Sequence, residues 1–232
     1  MHMHIKDNLA EVDQQIKKAC IKVGRDPSEV TLIAVSKTKP NEYIDAAYKE
    51  GMVDFGENKV QELRDKMEEI SHRINWHFIG HLQRNKVKYI IDKVSLIHSV
   101  DSLRLAEKIN EEGNKRGIIV NILVQVNIAN EESKFGVEKE ALYLLIHSIS
   151  KLSNVSVKGL MTIAPYTDNP EENRAFFAKM KELYVDIKSK NIDNVNMEIL
   201  SMGMTNDFEV AIEEGATMIR VGTGIFGERN YK

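Results

Sequence analysis

One cysteine, Cys20, stands in the whole sequence, so no intramolecular disulfide can form and a bridge-stapled framework is excluded. That count fits a reducing compartment, and the cytoplasm is the expected location. Cys20 reads as packing material on an N-terminal helix. No stretch approaches the roughly 18 consecutive apolar residues of a membrane span, and the start, Met1 to Asn8, lacks the apolar centre of a secretory signal. Neither sign of charge dominates. Lys and Arg number 32 against 35 Asp and Glu, a formal net charge of -3, which argues against a nucleic-acid or acidic-membrane partner needing a broadly basic surface. Arg84, Lys86 and Lys88 read as a solvated helix face. His77 and His81 would form an i, i+4 metal pair only on a helix, which the surrounding aromatic run and Gly80 oppose. The early His2 and His4 read as disordered terminal residues. No metal is expected.

Apolar residues make up 42% of the chain and charged residues 29%, enough apolar material for a substantial core. Short β-branched runs alternate with longer amphipathic stretches, the pattern of a parallel sheet with crossover helices. Eight runs are expected as strands: Val30–Ser36, Val53–Gly56, Asn75–Gly80, Val94–His98, Ile118–Asn127, Val155–Thr162, Met197–Ser201 and Thr217–Gly222. Between them, Asn169–Pro170 caps a stretch with Phe176, Phe177, Met180, Leu183, Tyr184 and Ile187 on one stripe. Asp101 to Ile109, ending near Gly113, reads as another helix. Eight β/α units favour a closed α/β barrel over a doubly wound open sheet. Ile5, Leu9, Val12, Ile16 and Ala19 fall at helical spacing, giving an extra N-terminal helix packed on the barrel. No linker, internal repeat or low-complexity tract divides residues 1–232, so one domain is expected.

In such barrels the site forms where strands end and the following loops begin. Lys37 closes the first run, where apolar strand walls would lower its pKa and raise the neutral fraction that attacks a carbonyl carbon. Taken alone it also reads as a solvated loop lysine, and Lys39 reads so more strongly. Ser201–Thr205 and Arg220–Gly224 lie at the seventh and eighth strand ends, a region where barrels hold phosphate on backbone N–H groups. Gly222 lets the backbone approach an anion, and the hydroxyls of Ser201 and Thr223 would add donors. A lysine amine facing a phosphate cup suits a phosphorylated aldehyde, and suits a sugar-phosphate aldolase too. Arg220, on the face of Gly222, would donate to a pyridine nitrogen and disfavour its protonation, or else serve as a second phosphate ligand or in a salt bridge. Asn58 would bond a ring oxygen or cap the next helix. His77 reads as a proton-transfer group or as a hydrogen-bonded structural histidine.

Together, Ala34–Pro40 (AVSKTKP), Phe55–Asn58 (FGEN), Trp76–Gly80 (WHFIG), Gly159–Met161 (GLM), Leu200–Met204 (LSMGM) and Arg220–Gly227 (RVGTGIFG) resemble the pyridoxal phosphate homeostasis protein family. The resemblance spans nearly the whole chain. It implies a fold-type III (β/α)8 barrel like the N-terminal domain of alanine racemase, with pyridoxal 5′-phosphate as a Schiff base on Lys37. It also implies phosphate contacts from Ser201, Gly222 and Thr223, Arg220 at the pyridine nitrogen, and Asn58 near the ring. Gly80–Lys86 departs from the family pattern, carrying His81 and Arg84 where proline and serine are usual, and Gly224 stands where alanine is common.

Fold-type III racemases add a β domain that supplies a second proton-transfer base. Here the sequence runs only about ten residues past the eighth expected strand, so no such domain is expected. The resemblance therefore implies a carrier or regulator in vitamin B6 and amino-acid homeostasis, without turnover. Apo forms of pyridoxal phosphate enzymes are its expected partners, and a monomer is the expected state. An amino-acid racemase is the alternative reading.

Overall fold

The structure, a computed structural model, describes residues 3–131 and 134–228. His2 lies outside them, while His4 is exposed on the first turn of a helix rather than in a frayed terminus. Eight strands follow in order: β1 Thr31–Val35, β2 Asp54–Glu57, β3 Asn75–Phe78, β4 Leu96–Val100, β5 Val120–Gln125, β6 Val155–Met161, β7 Val195–Met204 and β8 Met218–Val221. Each pairs in parallel with its neighbours, and β8 closes on β1. The helices are α1 Met3–Lys22, α2 Asn41–Lys49, α3 Val60–Glu69, α4 Leu103–Arg116, α5 Lys139–Ile149, α6 Arg174–Ser189, α7 Phe208–Glu213 and α8 Thr223–Phe226. The chain thus forms the expected (β/α)8 barrel with an extra N-terminal helix. Among the described residues, no helix is long and apolar enough to cross a membrane.

Helix α1 buries the predicted stripe, Ile5, Leu9, Val12, Ile16 and Ala19, together with Cys20. Each fully buried aliphatic side chain of that kind contributes about 1.5–3 kcal/mol. Asn8 Nδ2 donates to the Ile225 carbonyl at 2.9 Å and Lys22 pairs with Glu213 at 2.7 Å, so α1 is tied to α8 and α7.

Most strand ends differ from the sequence expectation by one to three residues, and three boundaries carry a structural reason or consequence. Residues 90–94 finish a turn, with the Val94 amide on the Ile90 carbonyl, and β4 starts at Leu96 rather than Val94. Strand β7 continues beyond Ser201 to Met204. Helix α4 passes through Gly113 and ends on Gly117, whose φ of 65° is the left-handed conformation glycine adopts freely. Gly113 is a packing residue: a Cβ there would lie 3.1 Å from the Ile118 carbonyl oxygen.

Strand register defines the inner face. Val35 is opposite Gly56, Gly56 opposite His77, and His77 opposite Leu96. Because Val35 lines the central cavity, all four positions face the barrel interior. That interior holds a small apolar cluster of Leu96, Leu123 and Met161, separate from the larger core between strands and helices. It also holds buried polar residues, among them His77, His98, Ser201 and Arg220.

Candidate functional site

A cavity of about 290 Å³ opens at the C-terminal ends of the strands. Its size lies near the lower edge of small-ligand pockets, roughly 300–1,000 Å³. Val35, Ile79 and Ile163 form apolar walls, and Lys37, Asn58, Arg220, Gly222 and Thr223 line it too. Five of the six residues singled out from the sequence therefore meet in one place. Ser201 is the exception.

Lys37 follows β1 in a tight turn closed by the Lys39 amide on the Ser36 carbonyl at 3.0 Å. The next residue, Thr38, has φ 63°, a left-handed conformation that is strained for a β-branched side chain. Buried groups hold this turn from behind. Lys66 Nζ donates to the Ser36 carbonyl at 2.8 Å and to Glu57 and Glu62, each at 2.7 Å. Glu62 accepts the Thr38 amide, and Ser36 Oγ donates to Glu57. Burial pushes the Glu57 carboxyl above its usual range, against the lowering effect of Lys66. Lys39 is not a solvated loop charge: its Nζ donates to the carbonyls of Phe226, Gly227 and Glu228, at the C-terminal end of α8. A cation suits those unpaired carbonyls.

Across the cavity, the amides of Gly222 and Gly224 both point at Thr205 Oγ1, each at 3.3 Å. Two long hydrogen bonds converging on one oxygen mark a place where an anionic oxygen would be held more tightly. The turn that delivers Thr205 depends on Gly203, whose φ is 93° and where a Cβ would lie 2.6 Å from the Ala211 Cβ. Asp207 fastens it further, accepting from the Met204 amide at 2.7 Å and from Asn173 Nδ2 at 2.8 Å.

Ser201 sits one layer deeper and does not line the cavity. Its Oγ accepts from Arg220 Nη1 at 2.7 Å and lies 3.0 Å from His98 Nδ1. It bonds Arg220 from behind, one layer below the strand ends where a phosphate cup was expected. Arg220 also donates from Nη2 to the Thr162 carbonyl at 2.8 Å. Burial lowers the guanidinium to about 10, with Asp207 opposing, so it remains a cation at neutral pH. His77 is a hydrogen-bonded interior histidine, 3.0 Å from both Asp54 Oδ1 and His98 Nε2.

Asn58 lines the cavity with its Oδ1 buried and unpartnered. It is not a helix cap, since α3 begins after Lys59. Gly80 lets the two backbones touch here: a Cβ on it would fall 2.2 Å from the Asn58 carbonyl oxygen. In the loop that follows, His81 stacks on Phe135 with ring centroids 3.9 Å apart. Sequence reasoning missed Thr205, His98 and the Lys66 cluster. Thr205 had a signal, a hydroxyl ending the same Ser201–Thr205 segment, but strand period alone does not say which hydroxyl clears the strand end.

Residues 5–230 match the family model described as "Alanine racemase, N-terminal domain". The pyridoxal phosphate homeostasis protein of Aquifex aeolicus is 46% identical over 230 residues, covering 99% of this chain and 100% of that one. The crystal structure of an unknown protein from Bifidobacterium adolescentis superposes with a TM-score of 0.93 at 35% identity, over 97% of this chain and 95% of its own. The structure of PipY from Synechococcus elongatus with pyridoxal phosphate bound gives 0.83 at 35% identity, over 96% of this chain and 100% of its own. The chain belongs to the pyridoxal phosphate homeostasis protein family, built on the alanine racemase N-terminal barrel.

Proposed function

We propose that this chain holds pyridoxal 5′-phosphate as a Schiff base on Lys37 and keeps it in custody without turnover, in vitamin B6 and amino-acid homeostasis in the cytoplasm. The observation that carries the reading is the convergence on one small cavity of Lys37, the Arg220 cation, Gly222 and Thr205, whose Oγ1 takes the amides of both Gly222 and Gly224. The residues present fit the cofactor. Asn58 Oδ1 is a buried polar atom awaiting a partner, and the two amides share one neutral oxygen where a phosphate would bring several charged ones. When bound, the cofactor supplies an aldehyde for the lysine amine and a conjugated ring that withdraws electrons.

The chain's own groups divide the binding. Gly222 and Gly224 donate to the phosphate, Thr205 and Thr223 add hydroxyls, and Asn58 contacts the ring edge. Arg220 donates to the pyridine nitrogen, and being a cation it keeps a proton off that atom, which makes the ring a weak electron sink. Other titratable side chains of the cavity have different occupations. Both oxygens of Asp207 accept hydrogen bonds, and Tyr166 is 82% exposed on the rim. In that role we infer a carrier that acts as a monomer and hands its cofactor to apo forms of pyridoxal phosphate enzymes.

The test is to purify the protein with and without Lys37→Ala, record the visible absorption, and follow transfer of cofactor to an apo-enzyme. Wild type is expected to be coloured and to donate. A colourless wild-type protein after incubation with the cofactor would contradict the reading. Chiral chromatography of an amino-acid panel tests the alternative, a racemase, which requires turnover beyond that of free cofactor.

A further inference from the structure

Behind Arg220 runs a chain of side chains that the binding role alone does not require. It crosses the barrel interior from the start of β2 to the end of β8: Asp54 Oδ1 to His77 Nε2 at 3.0 Å, His77 Nδ1 to His98 Nε2 at 3.0 Å, His98 Nδ1 to Ser201 Oγ at 3.0 Å, and Ser201 Oγ to Arg220 Nη1 at 2.7 Å. His98 and Ser201 are fully buried and His77 is 3% exposed, whereas the Asp54 side chain is 21% exposed at the far end.

The chemistry of the two ends sets the direction of every link. A guanidinium only donates, so Ser201 Oγ accepts from Arg220. A carboxylate only accepts, so His77 Nε2 carries the proton toward Asp54. A neutral His77 then accepts at Nδ1, His98 donates from Nε2 and accepts at Nδ1, and the Ser201 hydroxyl proton completes the chain. Each link has one donor and one acceptor, with no proton left over. Reversing the direction leaves His77 facing Asp54 without a proton to give unless His77 becomes an imidazolium.

We propose that Asp54, His77, His98 and Ser201 form a one-way hydrogen-bond relay whose carboxylate end fixes the orientation of Arg220 at the cavity wall. They are positioning residues: none but Arg220 borders the cavity. The relay couples a partly exposed carboxylate at the barrel's N-terminal end to ligand affinity at the other, and that coupling rests on the cofactor reading above. Buried neutral chains of this kind are sensitive to the loss of one member, because each deletion leaves the next group unpaired. Asn75 Nδ2 also donates to Asp54 Oδ1 at 3.1 Å, so the carboxylate is held on the strand side as well.

Two measurements on the full chain test it. In the ligand-free protein, 15N resonances of the imidazoles should show His77 and His98 as neutral rings protonated at Nε2 near pH 7. An Nδ1–H tautomer or an imidazolium at either position overturns the relay, whatever the cavity binds. Asp54→Asn keeps an acceptor oxygen and should preserve both tautomers, whereas Asp54→Ala should lose the single tautomer at His77 and weaken pyridoxal phosphate binding by about 3- to 10-fold. Circular dichroism confirms that both variants fold. An Asp54→Ala protein with unchanged imidazole spectra and unchanged affinity contradicts the proposal. A wild-type protein with the predicted tautomers that binds no pyridoxal phosphate would sink the cofactor reading and leave the relay standing.

Discussion

Thr205 Oγ1 takes the Gly224 amide at 3.3 Å, and a Cβ added to Gly224 would lie 3.2 Å from Thr205 Cγ2. The same Cβ would lie 2.9 Å from Val221 Cγ1. A larger residue at 224 is thus coupled to the one at 205. Gly224→Ala should destabilise the protein by about 1–3 kcal/mol through overpacking. Adding Thr205→Ser, which removes the crowding methyl and keeps the hydroxyl, should recover part of that loss. Urea unfolding of the two variants measures both effects, and an equally unstable double variant would refute the coupling.

The placement of Ser201 and Thr205 separates their roles. Thr205→Val removes a hydroxyl at the cavity and should weaken pyridoxal phosphate binding about tenfold, the worth of roughly one hydrogen bond of about 1.4 kcal/mol. Fold stability should fall by no more than about 1 kcal/mol, since the two amides that lose Thr205 Oγ1 make long, part-buried hydrogen bonds. Ser201→Ala should lower stability by about 1–3 kcal/mol, because it unpairs buried groups on Arg220 and His98, and should weaken binding only through Arg220, by the same roughly 3- to 10-fold as a broken relay. Equilibrium binding and denaturation on each variant distinguish the two patterns. Equal losses of affinity with intact stability would restore Ser201 as a phosphate ligand.

How far the sequence could anticipate this depended on period and chemistry. Strand period placed Lys37, Asn58, Arg220 and Gly222 at strand ends, and the structure gathers them because a closed parallel barrel brings every such end to one rim. Period 2 does not say how deep a side chain lies. Ser201 and Thr205 sit on one segment, four residues apart, and only the turn at Gly203 decides which reaches the cavity. His98 closed an expected strand and drew no notice, since a lone interior histidine has no local signature. Its meaning comes from Ser201 and His77, 103 and 21 residues away in the chain. Lys39 reads as solvated in the sequence for the same reason, its acceptors being carbonyls 187 to 189 residues distant.

Lys66 holds the buried Ser36 carbonyl and Glu57 and the partly buried Glu62 behind Lys37, so Lys66→Met should cost about 3–5 kcal/mol, as removal of one partner strands the buried charge of Glu57. Glu57, whose carboxyl burial already raises, can escape by taking up a proton. The deficit should therefore be greatest near neutral pH and shrink as the pH falls. Adding Glu57→Gln should recover much of it at pH 7. Denaturation curves between pH 5 and 8 check this, and a pH-independent deficit would contradict it.

His98 gives a second pH dependence, of opposite origin. Burial first, then the neighbouring His77 and Arg220, hold its imidazole well below the ordinary value of 6.5. The folded protein keeps His98 neutral while the unfolded chain takes up a proton below that value, so stability is lost as the pH falls through about 6.5. In His98→Gln that loss is absent. The variant should be less stable than wild type at pH 7, with the gap narrowing by up to about 1.4 kcal/mol per pH unit below 6.5. A gap that stays constant to pH 5 would show that His98 is not held neutral.

The central claim is that Lys37 carries the cofactor, and one measurement reaches it directly. Wild-type protein incubated with pyridoxal phosphate is reduced with borohydride, digested and mapped by peptide mass spectrometry, beside Lys37→Ala treated identically. The account predicts a stable adduct on the peptide containing Lys37 and the loss of the visible absorption band in the variant. An adduct confined to other lysines, or a band that survives Lys37→Ala unchanged, would contradict it.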